Sequence, residues 1–332
     1  MYDVAYLAEQ APHVFQAAEE CIVVHGDNNT GCLTPPPPLQ SVFSMPGNLL
    51  PFGTHHCKWS ILVYTNHLRL CIFTSNFIYK DFETMTNAVW CQDFPLKAAG
   101  GAAGSEFESY LVDFLDVYKL RGGRNLLSVI RHVRRFDFST ATVKLVACVP
   151  GYHAGLEVGK WGHMRVRKLL KAMHPTDVHP MFAKSRQFDV IAQYSSQGAV
   201  TEKWLADLAT SFYGSRPHAT VKLVWPRVSD VREGLTGWQA GKSIPGKHAN
   251  VTCPPVSARH HVWDATVSGH QNVMPHMKSF VGYYVSKDGF SADNIAFTLV
   301  TSCNMSKAAV RGVPRLGRRF CIKSYELGVL FM

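Results

Sequence analysis

Two short stretches of the chain hold a histidine and a lysine in the same H-x-K spacing: His56 and Lys58 in PFGTHHCKWSILVY (51–64), and His276 and Lys278 in MPHMKSF (274–280). Each pair stands at the start of an apolar run. A second apolar run follows each and ends in a polar hook, CIFTSN closing on Asn76 and FTLVTSCN on Asn304. With 16 histidines in the chain, roughly one such triplet arises by chance, so a single pair carries little. Here there are two, each followed by the same order of features, and an internal repeat of this kind reads as duplication.

The chemistry open to such a set is phosphoryl transfer. One imidazole can attack phosphorus as a nucleophile while a second, protonated imidazole gives its proton to the departing oxygen. Two lysines and two asparagines would surround the phosphate with donors where negative charge develops, so neither metal nor cofactor is needed. The second imidazole, now neutral, can activate the water that clears the phosphohistidine. A carboxylate that holds one imidazole in its tautomer completes the set, and Glu326 stands at the head of the last apolar run, ELGVLF. Metal binding is the competing use of paired histidines, and the doublets His55–His56 and His260–His261 keep it open. Against it, a lysine beside each histidine repels a cation, and neither motif contains Asp or Glu.

The chain that must position these groups has 332 residues, 46% of them hydrophobic, enough for one large core or two smaller ones. Its formal charge of +10, from 34 Lys+Arg against 24 Asp+Glu, favours a polyanionic partner such as nucleic acid or an acidic membrane surface. Nine scattered cysteines without C-x-x-C argue against a disulfide framework or a structural zinc site and for a reducing compartment. With no long apolar span and no signal-peptide start, the expectation is a soluble intracellular protein.

Read in order, the sequence predicts helix over 4–18, strand over 21–26, a proline-rich loop at 35–38, and a hairpin of strands 61–64 and 68–74. A flexible loop at 100–104 precedes helices over 106–118 and 125–133, then a strand over 143–149. The Pro150–Gly151 break suggests a division into halves 1–149 and 150–332. Beyond it come helix 161–173, strand 188–193, a Ser-Ser-x-Gly turn at 195–198, helix 202–212 and strand 221–225. This alternation indicates an α/β fold with mixed sheets. Two groups of basic residues are candidates for phosphate contact or solvated faces: Arg131, Arg134 and Arg135, and the basic side of helix 161–173 with Arg165, Arg167, Lys168 and Lys171. The turn at 195–198 offers hydroxyls and helix N-terminal amides to an anion, or is an ordinary N-cap.

PFGTHHCK, FTSN, WGHMRVRKLLK, QYSSQG, MPHMKSF, VTSCNMSKAA and SYELGVLF, in that order, resemble a tyrosyl-DNA phosphodiesterase of the phospholipase D superfamily over nearly the whole chain. Ordinary phospholipase D members carry an Asp five positions after the lysine. Those places are Val63 and Tyr283 here, with Asn76 and Asn304 standing in, as in the tyrosyl-DNA branch.

The resemblance implies two similar α/β/α halves related by a pseudo-two-fold, with the active site between them. It implies hydrolysis of 3′-phosphotyrosyl DNA left by topoisomerase I, and of other 3′ end blocks, by a nuclear, monomeric enzyme acting without a membrane. Its partners would be single-stranded or nicked DNA 3′ ends and the topoisomerase-derived peptide. Carried over by position, His56 is the nucleophile and His276 the general acid, then base. Lys58, Lys278, Asn76 and Asn304 bind the phosphate, and Glu326 orients His56. Phe52 resembles an aromatic that stacks on a base; Ser195, Ser196 and Ser306 resemble contacts to the DNA backbone. Where the family usually supports the second histidine with glutamine, this chain has the shorter Asn87. The family also has a strand-containing segment with a tyrosine before the position of Met1, and a further stretch beyond Met332. The alternatives are a DNA-end binding protein without turnover and a phospholipase D type lipid phosphodiesterase.

Overall fold

The computed structural model describes residues 3–26, 41–44, 46–98, 104–123, 125–173, 187–213, 219–286, 291–306 and 319–332. The proline run at 35–38 and most of the loop expected at 100–104 lie outside them. Among the described residues sixteen strands run in chain order, as β1 (Cys21–Val24), β2 (Ser41–Ser44), β3 (Trp59–Val63), β4 (His67–Phe73), β5 (Met85–Thr86), β6 (Val89–Pro95), β7 (Lys144–Cys148) and β8 (Gly151–His153). They continue as β9 (Phe188–Gln193), β10 (Ala219–Trp225), β11 (His260–Val262), β12 (Met274–Pro275), β13 (Ser279–Tyr284), β14 (Ile295–Thr301), β15 (Phe320–Ile322) and β16 (Glu326–Phe331).

Seven of them form one mixed sheet in the order β11-β10-β9-β13-β14-β16-β7. Its β9, β10 and β11 are parallel, and the remaining pairings are antiparallel. A separate antiparallel sheet has the order β3-β4-β6. Strand β7 precedes the expected division after residue 149, yet it bonds to β16 at the chain's far end. The large sheet therefore draws on both sides of that division.

Local pattern explains most elements. In β4, Leu68, Leu70 and Ile72 are buried while Arg69 and Cys71 alternate outward, the period-2 signature of a half-buried strand. In the helix Glu106–Asp116, Phe107, Tyr110, Leu111, Phe114 and Leu115 follow the 3.6-residue period onto one buried face, and Ser105 caps its start by accepting from the Glu108 amide. The helix expected over 4–18 is two, Val4–Gln10 and Pro12–Ala17, because Pro12 lacks the N–H that would continue the first and suits the opening turn of a new one. Helices Gly162–Ala172 and Glu202–Tyr213 pack on each other and against the large sheet. One continuous core joins β4 and β6 to Glu106–Asp116 and on to β9, β13, β14 and β16. No helix among the described residues is long and apolar enough to cross a membrane.

Candidate active site

Each H-x-K motif is fastened by its backbone to a distant part of the chain. The His56 amide donates to the Tyr325 carbonyl at 3.0 Å, and the His276 amide donates to the Thr86 carbonyl at 2.8 Å. The approach of 51–56 to this seam is so close that a Cβ on Gly53 would stand 2.1 Å from the Lys323 carbonyl oxygen, so only glycine fits there.

From these anchors the same construction is repeated. Lys58 leads into β3 and Lys278 into β13. The Phe73 amide donates to the Lys58 carbonyl at 3.1 Å, and the Thr301 amide to the Lys278 carbonyl at 3.0 Å. Three residues after each of those amides come Asn76 and Asn304. Lys58 Nζ turns back to the His56 carbonyl at 2.7 Å, and Lys278 Nζ makes the same bond to the His276 carbonyl. One hydroxyl next to each hook then bridges to a polar side chain. Ser302 Oγ donates to Glu326 Oε2 at 2.5 Å and accepts from the Leu327 amide at 3.1 Å. Thr74 Oγ1 donates to Asn87 Oδ1 at 2.9 Å and accepts from the Ala88 amide at 3.0 Å. Asn87 thus occupies the place that Glu326 holds in the other set.

The imidazoles differ in their support. Glu326 Oε2 lies 2.8 Å from His56 Nδ1. An ionised carboxylate only accepts, so Nδ1 carries the hydrogen and Nε2 keeps its lone pair. Asn87 Oδ1 is 3.3 Å from His276 Nδ1, and beside it is a residue that the sequence reading missed: Asp81, whose Oδ2 stands 3.2 Å from the same nitrogen. Asp81 is 1% exposed and also accepts from the Asn76 amide at 2.6 Å and from Asn76 Nδ2 at 2.8 Å. Its only trace in the sequence is its place in NFIYKDF, five residues after Asn76, which no motif marks.

The electrostatics join the two sets. Burial pushes Lys58 down to about 8, with Glu326 working against the fall, and burial together with the Lys58 cation holds Lys278 well below the ordinary lysine range. Desolvation lowers His56 while Glu326 opposes it. Burial, then Lys278 and Lys58, push His276 well below the usual imidazole range. Burial would raise the Glu326 carboxyl, but His56 and Lys58 hold it below the ordinary carboxylate value. Each pair feels the other's charges, which requires a shared neighbourhood. His56 remains partly accessible, its side chain 27% exposed, whereas His276 is buried.

Asn304 is held from behind. Its Oδ1 accepts from the Ser195 amide (3.2 Å), Ser195 Oγ (3.2 Å) and the Ser196 amide (2.9 Å), which leaves its NH2 group as the donor. Ser195, expected at the DNA backbone, is 1% exposed and is placed to orient Asn304 instead. The Ser306 amide donates to the Asn304 carbonyl at 2.8 Å. Phe52 is 92% exposed, has a left-handed φ of 63°, and lies under Lys323 Nζ at 5.3 Å.

Other expectations are corrected. Arg165, read as part of a basic face, is buried, ion-paired to Glu106 and stacked on Tyr110 at 4.2 Å. Lys168 and Lys171 are exposed on that helix, as are Arg131, Arg134 and Arg135 on the other basic segment. The doublet partner His55 is buried with Nε2 3.1 Å from Tyr118 Oη, and desolvation takes it down to about 3. His260 Nε2 lies 3.0 Å from Gln197 Oε1.

A mixed α/β fold with a duplicated H-x-K and asparagine set defines a protein of the phospholipase D superfamily. Similarity to known proteins narrows this. A family model described as tyrosyl-DNA phosphodiesterase matches residues 1–332, and the chain belongs to that family. It is 34% identical to tyrosyl-DNA phosphodiesterase 1 of Arabidopsis thaliana over 100% of this chain and 56% of that protein. It is 29% identical to a probable tyrosyl-DNA phosphodiesterase of Caenorhabditis elegans over 85% of this chain and 63% of the relative. The chain thus spans little more than half the length of the first of these. A solved structure of yeast tyrosyl-DNA phosphodiesterase has the same fold, with a TM-score of 0.75 at 16% identity, over 100% of this chain and 81% of that one.

Proposed function

We propose that this protein is a metal-independent DNA-repair phosphodiesterase that hydrolyses 3′-phosphotyrosyl DNA, the class of adduct left by topoisomerase I, and other 3′ end blocks. The observation that carries this reading is the repeated H-x-K and asparagine construction, with each histidine anchored across the chain and each Nδ1 facing an acceptor. Membership of the family and the charge of +10 support DNA as the substrate.

In the proposed reaction the His56 Nε2 lone pair forms a bond to phosphorus as the bond from phosphorus to the tyrosyl oxygen breaks. That oxygen takes the electron pair and a proton from His276 Nε2. Lys58, Lys278 and the NH2 groups of Asn76 and Asn304 face the growing negative charge. Water then attacks phosphorus, the N–P pair returns to His56, and the water's proton passes to His276. A 3′-phosphate and free tyrosine or peptide leave. Phe52, exposed at the rim, would stack on a base, with Ser196 and Ser306 beside the backbone path. We read the chain as two halves, 1–149 and 150–332, acting as a monomer in the nucleus.

The test is a single-stranded oligonucleotide with a 3′-phosphotyrosyl end, incubated in excess EDTA. Tyrosine release is expected; a folded protein that binds the oligonucleotide but leaves the bond intact would refute the reading.

A further inference from the structure

We propose that Asp81 is the positioning carboxylate of His276, taking the part that Glu326 takes for His56, and that it holds the imidazolium whose Nε2 proton goes to the departing oxygen. The proposal rests on the phosphodiesterase reading above. It starts from a mismatch within the repeated construction. Asn87 sits in the Glu326 place and, like Glu326, takes a neighbouring hydroxyl, Thr74 Oγ1 at 2.9 Å, but it is shorter and uncharged. It meets His276 Nδ1 at 3.3 Å, against 2.8 Å for Glu326 and His56. Asp81 reaches the same nitrogen at 3.2 Å from outside the repeated positions and is buried.

Charge gives the physical reason. His276 shares its surroundings with Lys278, Lys58 and His56, all cationic or able to become so, and the Asp81 carboxyl group faces its Nδ1 at 3.2 Å. A neutral amide satisfies an N–H but does not offset an imidazolium, whereas a carboxylate does both. The phosphodiester brings one further negative charge when it binds, so the protonated acid forms in the complex. Asp81 also orients Asn76 through two bonds to the same oxygen, tying the acid to one of the phosphate donors.

The test compares two leaving groups on the same oligonucleotide: a 3′-tyrosyl ester, whose phenolate needs the proton, and a 3′-(4-nitrophenyl) ester, which departs without it. Asp81→Asn keeps the shape and an acceptor oxygen but loses the charge. In a single turnover with protein in excess, it is expected to slow tyrosyl release by about tenfold to a hundredfold, up to the lower end of a general acid's contribution, and nitrophenyl release, which precedes the water step, by less than about threefold. The double variant Asp81→Asn with Asn87→Asp, which returns a carboxylate at the Glu326-like place, is expected to recover most of the difference. Equal loss with both leaving groups, or tyrosyl release within about threefold of the parent, overturns the proposal. If Asp81→Asn does not fold, Asn87→Ala decides: with Asp81 in place it should change both rates by the same factor, and a loss confined to the tyrosyl ester would give the role to Asn87. A parent protein that cleaves neither ester defeats the phosphodiesterase reading and this assignment with it.

Discussion

Glu326 reaches His56 from the opposite end of the sequence, its Oε2 2.8 Å from His56 Nδ1 and also bonded to Ser302 Oγ. The first histidine therefore gets its tautomer from a strand laid down 270 residues later. Glu326→Gln removes the charge and allows an amide N–H to face Nδ1, which favours the tautomer with its hydrogen on Nε2. Turnover is expected to fall by about 10²- to 10⁴-fold, as when an orienting carboxylate is amidated in a catalytic triad, with little loss of oligonucleotide binding. Stopped-time tyrosine release and fluorescence anisotropy on one preparation check the pair of outcomes.

The division of labour between the histidines predicts two unlike defects. His276→Ala should build up a covalent adduct through His56, because the intermediate forms slowly and clears more slowly still. His56→Ala should form none. Intact-protein mass spectrometry after mixing with the 3′-phosphotyrosyl oligonucleotide reads this directly, and equal, adduct-free loss in both variants would count against the assignment.

Lys58 supplies a pH dependence whose sign follows from its environment. Burial lowers it to about 8, so in the free protein its charge is present below that pH and lost above it. Affinity for a 3′-phosphorylated oligonucleotide, whose phosphate is already dianionic above about pH 7, should therefore weaken as pH rises through about 8. Lys58→Gln should bind more weakly and remove that break. A parent curve that stays level to about pH 9.5 would contradict this placement of the charge.

Asn304 presents its amide as a donor because three hydrogen bonds occupy its oxygen. Asn304→Asp replaces that donor with an anion facing the phosphate, and kcat/KM should fall by at least about two orders of magnitude. Ser195→Ala removes one of the three bonds and should cost less than about tenfold, in turnover rather than DNA affinity, since the net worth of one such bond is about 1 kcal/mol.

Phe52 separates binding from strain. Phe52→Ala should weaken single-stranded DNA binding by about 1–3 kcal/mol, the worth of one stacked base. Phe52→Gly should bind as weakly but melt higher than Phe52→Ala, because a left-handed φ costs a non-glycine residue about 1 kcal/mol. Differential scanning fluorimetry compares the two.

The sequence carried what repeats locally or in fixed order. Alternation in LRLCIF, the 3.6-residue period of FESYLVDFL and the two H-x-K motifs with their asparagines are properties of neighbouring residues. They were legible because side-chain direction follows from backbone period, and because similar segments fold alike. Glu326 was also within reach, as an acid at the head of an apolar strand. The helix break at Ala11 was written in Pro12 and was overlooked.

Asp81, Ser195 and Arg165 were different. An acid five residues after Asn76, a serine in a turn and an arginine on a basic helix look like ordinary surface groups, since charge in a sequence says nothing about which face a fold will bury. Packing put Arg165 against Glu106 and Tyr110, Ser195 behind Asn304, and Asp81 beside His276, far along the chain. The types and order of the reacting groups were thus readable from the chain, while the partners that set their tautomers and charges arise only where distant strands close on one another, because hydrogen bonds and desolvation act over a few ångströms of space and not along the sequence.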